Sequence, residues 1–286
     1  MSIPVERLTA LGELFECEKL QERLLGQGAR SILTVPILAA IQRSGGLLLG
    51  AWEGDEPRRA LRGALVDVVA KADEYPALFT VFLGVEPGSA NRGIAQSLRM
   101  MERSSCAVAG VDLVYWWSDP LHSTESHIAF NKLGAIASAH SRNALGLLDD
   151  DVNVGLATDR FRIEWWIDSP RVSGILDGGR RPPHFRLGFD QMQVITQTRG
   201  RASGLRRLAG LKGSPSERFV LVEIPVDFAQ LRNEDAAAAK EWRLVTREAF
   251  ELLFADGYTI VGFIHEGGRS FHLFEREDRG SILGRP

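Results

Sequence analysis

Cysteine is nearly absent. Cys17 and Cys106 are the only two in 286 residues, and they lie far apart. Neither has another Cys or a His at zinc-ligand spacing, so a disulfide framework and a zinc finger are both unexpected. Two sparse thiols suit a reducing compartment. Long apolar runs are also missing, since none approaches the ~20 residues that a spanning helix requires. The opening residues, MSIPVERLTALGELFECEKL, lack a basic segment followed by an apolar one, so no signal peptide is expected. Neither charge sign dominates: 34 Lys and Arg stand against 37 Asp and Glu, a formal net charge of -3. That balance gives no pull toward nucleic acid or an anionic membrane. The expectation is a cytoplasmic, soluble chain with no metal site.

Hydrophobic residues make up 44% and charged residues 25%, ordinary values for a globular protein with a sizeable core. At ~100–200 residues per domain the length fits one large domain or two small ones. Leu14, Cys17, Leu20 and Leu24 recur at helical spacing within 11–25. LLLGAW (47–52) reads as a buried strand, and 61–70 and 77–85 read as two more, the last ending at Glu86-Pro87-Gly88. An amphipathic helix over 92–109 follows, with Ile94, Leu98, Met101 and Val108 on one face and Arg99, Glu102 and Arg103 elsewhere. Gly110 stops it, and a strand over 111–117 comes next. Ser123 or Thr124 can cap a helix running to about Leu133. Further on, 160–167 and 219–226 read as strands, and 174–188 as a loop. Residues 235–255 carry the longest helical pattern, with Trp242, Val245, Ala249 and Leu252 on one stripe. Helix, glycine and strand thus occur in succession at Gly110 and again at Gly257, which either a degenerate duplication or chance produces.

The segment that carries chemistry is strand, turn, Asn91-Arg92-Gly93-Ile94-Ala95, helix. A glycine at a helix start lets the backbone approach a ligand. The unpaired amides of the first turn favour an anion, and a pyrophosphate is the expected occupant. Arg92 can add charge-assisted bonds to phosphate oxygens. The glycine triplet of a dinucleotide fingerprint is missing, and so is the Gly-Lys-Ser/Thr of a P-loop. Taken alone, the segment fits a structural turn as well as a phosphate site.

Residues 84–146 resemble the GNAT (GCN5-related N-acetyltransferase) superfamily. Ala90-Asn91-Arg92-Gly93-Ile94-Ala95 is similar to the family's Gln/Arg-x-x-Gly-x-Gly/Ala loop, with Ala90 departing at the first position. Trp117-Ser118-Asp119-Pro120-Leu121 and Ser126 to Ala135 look like its fifth strand, fourth helix and lysine-x-glycine ending. The resemblance covers about residues 10–150 and looks nearest a bacterial branch that carries a similar C-terminal extension. It implies an α+β fold with a central mixed β-sheet flanked by helices over 1–155. A smaller α/β half, 156–286, would follow as an acceptor-pocket wall, a homodimer interface or a degenerate repeat. It also implies that Leu83, Gly84 and Val85 pair with pantetheine, and that Asn91 to Ala95 hold the pyrophosphate of acetyl-CoA or another acyl-CoA. Ser126 falls where the family often has an Asn on the pantetheine arm, and Phe130 where many members have a proton-donating Tyr. Phenylalanine cannot donate a proton.

An amine that attacks a thioester must first lose a proton to a base or a water chain. Asp119 and Glu86 are the candidate catalytic carboxylates; the plainer readings are an Asp-Pro turn bonding its own backbone and a water-facing glutamate. His122 titrates in the useful range or is a solvated loop residue. Trp116-Trp117 and Trp165-Trp166 wall a pocket or pack a core. The basic segment 198–213 could meet the coenzyme's 3′-phosphate, an anionic substrate or RNA, or it could be a solvated face. Two functions compete: an N-acyltransferase for a small amine such as an amino acid, and a non-catalytic CoA or acyl-CoA binder. No nucleic-acid or membrane partner is expected.

Overall fold

The computed structural model describes residues 3–26, 29–55, 58–88, 93–146, 155–179, 187–200 and 206–285. They form two compact units, residues 3–116 and the described residues from 117 to 285. The division falls at Trp116 and not near residue 155, because residues 136–141 pair within the second unit's sheet. No helix among the described residues is long and apolar enough to cross a membrane.

In the first unit β1 (Val5–Arg7), β2 (Leu47–Glu53), β3 (Ala60–Ala72) and β4 (Tyr75–Val85) pair antiparallel in that order. β5 (Leu113–Ser118) joins β4 in parallel, so the sheet is mixed. The helices α1 (Leu11–Leu25) and α2 (Val35–Arg43) cover one face. Their Leu14, Cys17, Leu20, Leu38 and Ile41 share a core cluster with Leu48, Ala64 and Val66 of the sheet. Strand side chains alternate, so Gly63, Leu65 and Asp67 point to the opposite face, where α3 (Ile94–Ala109) packs.

α3 is rotated from the face its apolar residues suggest. Val108 is 90% exposed, whereas Arg99 and Glu102 are 2% and 0% exposed. An ion pair that satisfies itself inside the core outweighs one valine. Arg99 Nη1 donates to both Glu102 oxygens at 2.9 Å and to Thr80 Oγ1 at 2.9 Å, and its guanidinium lies 4.0 Å from the Trp116 ring centre. Asp67, fully buried nearby, accepts no hydrogen bond among the described residues. Burial and the adjacent Glu102 carboxylate push its carboxyl well above the usual range, against an opposite pull from Arg99.

In the second unit the sheet order is β7-β6-β12-β13-β11-β8, formed by β6 (Ile136–Ser141), β7 (Arg160–Trp166), β8 (Gln193–Val194), β11 (Phe219–Ile224), β12 (Tyr258–Glu266) and β13 (Arg269–Arg276). Among the pairings of the described residues in this sheet, that of β8 with β11 is parallel and the others are antiparallel. The basic segment expected as a loop forms a hairpin, β9 (Thr196–Gly200) and β10 (Arg206–Leu211). Its Arg206 pairs with Glu223 at 2.9 Å and its Arg207 with Asp235 at 3.3 Å, so those two charges are used within the unit. A short helix α5 (Pro170–Leu176), capped by Ser169, enters the stretch expected as a loop. After the short helix α6 (Phe228–Glu234), the long helix α7 (Ala236–Ala255) buries Trp242, Arg243, Thr246, Ala249, Phe250 and Leu253, while Leu252 is 37% exposed. α7 connects to β11 and β12, which are separated by β13, whereas α3 connects the direct neighbours β4 and β5. The repeated helix–glycine–strand unit therefore sits in two different topologies.

α4 (Ser123–Ser126) continues into a π-helical turn, His127–Lys132, and Gly134 closes it with φ +74°. Widening this turn places Asn131 against β12. Its Nδ2 donates to Phe263 O at 2.6 Å and its Oδ1 accepts from Phe263 N at 3.0 Å.

Glu102→Gln should cost on the order of 3–5 kcal/mol, the effect of stranding a buried partner. Asp67→Asn should cost little near neutral pH. Because the folded carboxyl of Asp67 titrates above its unfolded value, its contribution is complete at low pH and is lost as pH rises through the folded value. Denaturant unfolding followed upward from the pH at which unfolded carboxyls titrate should show this loss in the wild type and not in Asp67→Asn. Equal slopes in the two proteins would mean that Asp67 is ionised.

Candidate functional site

Two parts of the first unit build the candidate site. β4 pairs with β5 only over Ala77–Thr80 and continues past that pairing to Val85. Its register against β3 shifts at the same place: Asp67 faces Thr80 and Val66 faces Phe82, leaving Val81 as a bulge. A bulge bends the strand and re-aims the residues beyond it. Of these, Leu83 is 36% exposed, and Gly84 and Val85 are half-buried. A side chain at Gly84 would meet Phe82 Cζ at 2.5 Å and Leu24 Cδ1 at 2.6 Å, so packing of α1 onto the strand requires glycine there.

The second part is the start of α3. Ile94 is buried over Gly63, the β3 partner of Val85; a β-carbon at Gly63 would lie 2.7 Å from Ile94 Cγ2. This close approach fixes the helix start beside the end of β4. Gly93, the N-cap, has φ +74° and ψ +10°, is exposed, and has open space where a side chain would project. Its carbonyl already accepts from Ser97 N at 3.0 Å, and no acidic residue occupies the first turn. Within the first turn no carboxylate neutralises the positive potential of the amides at this end. Asn91 and Arg92 lie outside the described residues.

Glu86 follows β4 and is held from both sides. Its Oε1 accepts from Arg23 Nε at 2.8 Å and its Oε2 from Arg62 Nη1 at 2.7 Å. Burial would raise its carboxyl, but the two guanidiniums outweigh burial and hold it below the usual range. A carboxylate so engaged is a weak proton acceptor. The same unit's Cys17 is no nucleophile, since burial pushes its thiol up to about 12.

Asp119, Ser126 and Phe130 belong to the second unit. Asp119 accepts from both terminal nitrogens of Arg243, at 2.8 and 2.7 Å, and from its own chain at Leu121 N, 2.8 Å. Arg160 Nη1 lies 3.6 Å away. Burial would raise this carboxyl too, and Arg243 reverses the shift to leave it below the usual range. The turn is latched a second time: His272, fully buried, shares a 2.7 Å hydrogen bond between Nε2 and Pro120 O. Burial pushes the His272 imidazole down to about 4, so the ring is neutral and donates from Nε2. Ser126 is 2% exposed and donates to His122 O at 3.0 Å. Phe130 is 0% exposed and meets the His272 ring edge-on. Both side chains are therefore buried in this structure. His122 caps α4 through Nδ1, and Trp165 and Trp166 are core residues bonded to Leu133 O and Glu164.

Sequence reasoning missed the guanidiniums that occupy both carboxylates. One signal was available: Arg243, Arg247 and Glu251 recur every fourth residue on α7, and each is paired, with Asp119, Asp159 and Arg142 respectively. Among the described residues no group of three or more His, Cys, Asp or Glu is placed to hold a metal.

No protein-family model matches the chain, and no curated protein does. Among solved structures it is similar to the IAA acetyltransferase from Bacillus cereus, at 14% identity and a TM-score of 0.42, over 57% of this chain and 98% of that one. It is also similar to the ribosomal-protein-S18-alanine N-acetyltransferase from Escherichia coli, at 12% identity and a TM-score of 0.45, over 57% and 93%. A third is an aminoglycoside 6′-N-acetyltransferase complexed with coenzyme A, at 12% identity and a TM-score of 0.43, over 58% and 97%. At these identities and scores the likenesses assign this chain neither a substrate nor a residue role.

Asp119→Asn should lower stability by about 1.5–3 kcal/mol at neutral pH, as expected for lost charged hydrogen bonds. The folded carboxyl titrates below its unfolded value, so its contribution is present above the unfolded value and disappears as pH falls through the folded one. The two proteins should therefore converge in acid. An unchanged unfolding midpoint would show that the pair contributes nothing to the fold.

Proposed function

We propose that the chain is an acyl-coenzyme A-dependent N-acyltransferase that moves an acetyl or succinyl group to the amine of a small molecule. The observation that carries this reading is the open, left-handed Gly93 at the unneutralised start of α3, set beside a β4 end that has left its parallel partner. The residues fit the donor. Two phosphates need backbone amides with no side chain in the way, and Gly93 to Ala95 offer them. An extended pantetheine needs a strand edge free to bond, and Leu83 to Val85 continue past the pairing with β5. The thioester supplies an activated acyl carbon.

The chain's own contribution is binding and polarisation. A β4 amide donates to the oxygen on which negative charge develops. Glu86, tied to Arg23 and Arg62, keeps the end of β4 in place and is assigned a positioning role. Asp119, tied to Arg243, has the same role in its own unit. Proton removal from the amine then falls to solvent, and turnover should rise with pH as the fraction of free amine grows.

A second reading is a non-catalytic acyl-CoA binder. The engaged carboxylates and a phenylalanine at the expected proton-donor position favour it. Free-thiol release from acetyl-CoA or succinyl-CoA across an amine panel separates the two. Saturable CoA binding with no release on any amine would establish the binder.

Gly93→Asp and Gly93→Asn probe the site itself. Both side chains project into open space, and both residues tolerate the left-handed backbone better than most. Asp should weaken CoA binding at least about tenfold by adding a negative charge near the pyrophosphate, while Asn retains most of it. If CoA binds Gly93→Asp as tightly as wild type, the coenzyme is not held there.

A further inference from the structure

The second unit contains a cavity of about 350 Å³, lined among others by Arg171, Phe219, Glu275 and Ile282. Arg171 is bonded differently from the arginines of α7 and β13 that meet carboxylates. Arg243, Arg247 and Arg269 each meet a carboxylate through two nitrogens. Arg171 instead gives Nε to Gly134 O at 2.9 Å and Nη2 to Val261 O. Its Nη1 has no partner and no carboxylate pairs with it among the described residues. It also sits in the first turn of α5, the end at which a helix disfavours a cation. Burial without a counter-ion pushes the Arg171 guanidinium down to about 10, against a weaker opposite pull from Glu275. Arg171 is half-buried, and a guanidinium partly withdrawn from water without an anion is a costly arrangement that a ligand carboxylate would relieve.

Glu275 is the complementary group in the same lining. Arg218 gives both its Nε and its Nη2 to the single oxygen Oε1, at 3.1 and 2.7 Å. Oε2 accepts no hydrogen bond among the described residues. The cavity thus offers one free guanidinium nitrogen and one free carboxylate oxygen, which do not meet each other. Phe219 and Ile282 supply apolar wall. A molecule carrying both charges and a short apolar group would satisfy all three features at once.

We propose that this cavity binds a small α-amino acid, with its carboxylate on Arg171, its ammonium on Glu275 and its apolar side chain against Phe219 and Ile282. The site lies wholly in the second unit and requires no coenzyme, so it stands apart from the acyltransferase reading.

Calorimetry on the full chain tests it with glycine, L-alanine, L-leucine and L-phenylalanine, without acyl-CoA. The volume and apolar wall favour alanine or leucine over glycine. For the best binder, the matching deaminated acid and decarboxylated amine should each bind about tenfold or more weakly, since each abandons one charged contact. Glu275→Gln should weaken the amino acid by a similar factor and leave the deaminated acid unchanged. This variant keeps the side-chain shape, and Arg171, whose carbonyl bonds support the fold, is untouched. The proposal is overturned if none of the four amino acids binds at about 10 mM. It is overturned equally if the deaminated acid or the amine binds as well as the parent, or if Glu275→Gln binds the parent as tightly as wild type.

Discussion

A guanidinium taken out of water needs an anion or a set of carbonyls, and that requirement organises both units. In the first, Arg99 lies between Glu102, Thr80 and the face of Trp116, and it turns α3 so that its charged residues point inward. In the second, Arg243 holds Asp119 at the turn after β5, and its neighbours on α7 repeat the arrangement along one helix face. Burying such pairs contributes little net stability over apolar packing, yet removing one partner is severe. They therefore constrain which residues can change more than they hold the fold together.

The candidate coenzyme site depends on the same economy of contacts. Two glycines admit close approaches that no other residue permits: Gly63 receives Ile94, and Gly84 receives Leu24 and Phe82. These contacts set the start of α3 beside the end of β4, where the bulge at Val81 coincides with the end of parallel pairing. The exposed Gly93 is then the only place in the turn where the described backbone is both left-handed and unobstructed.

Much of this was legible in the residues. α1 spans the stretch its apolar period marks, and the strand–turn–helix–glycine–strand run from β4 to β5 follows from composition and punctuation. Local periodicity failed where a distant partner decides the outcome. Val108 looks like a core residue and faces solvent, because Arg99 and Glu102 find Thr80 on another strand. The basic segment 198–213 looks like a solvated loop, but its Arg206 and Arg207 meet Glu223 and Asp235, residues no local window contains. For the same reason Asp119 and Glu86 read as candidate bases until Arg243, Arg23 and Arg62 are placed, whereas the backbone-bonded Asp-Pro turn, a purely local feature, is found at Leu121 N. Phe130 is the opposite case, since its identity alone rules out proton donation, and burial against His272 agrees with that.

The Asp119–Pro120 turn is fastened by two bonds of unlike character. The link to Arg243 is ionic and is lost in acid, where the Asp119 carboxylate takes up a proton. The link from His272 to the Pro120 carbonyl is neutral, because the imidazole stays uncharged down to about 4. One fastening is sensitive to the ionic surroundings and the other ignores them. Stress that loosens the first leaves the backbone pinned by the second, so the turn can yield its carboxylate without losing its path.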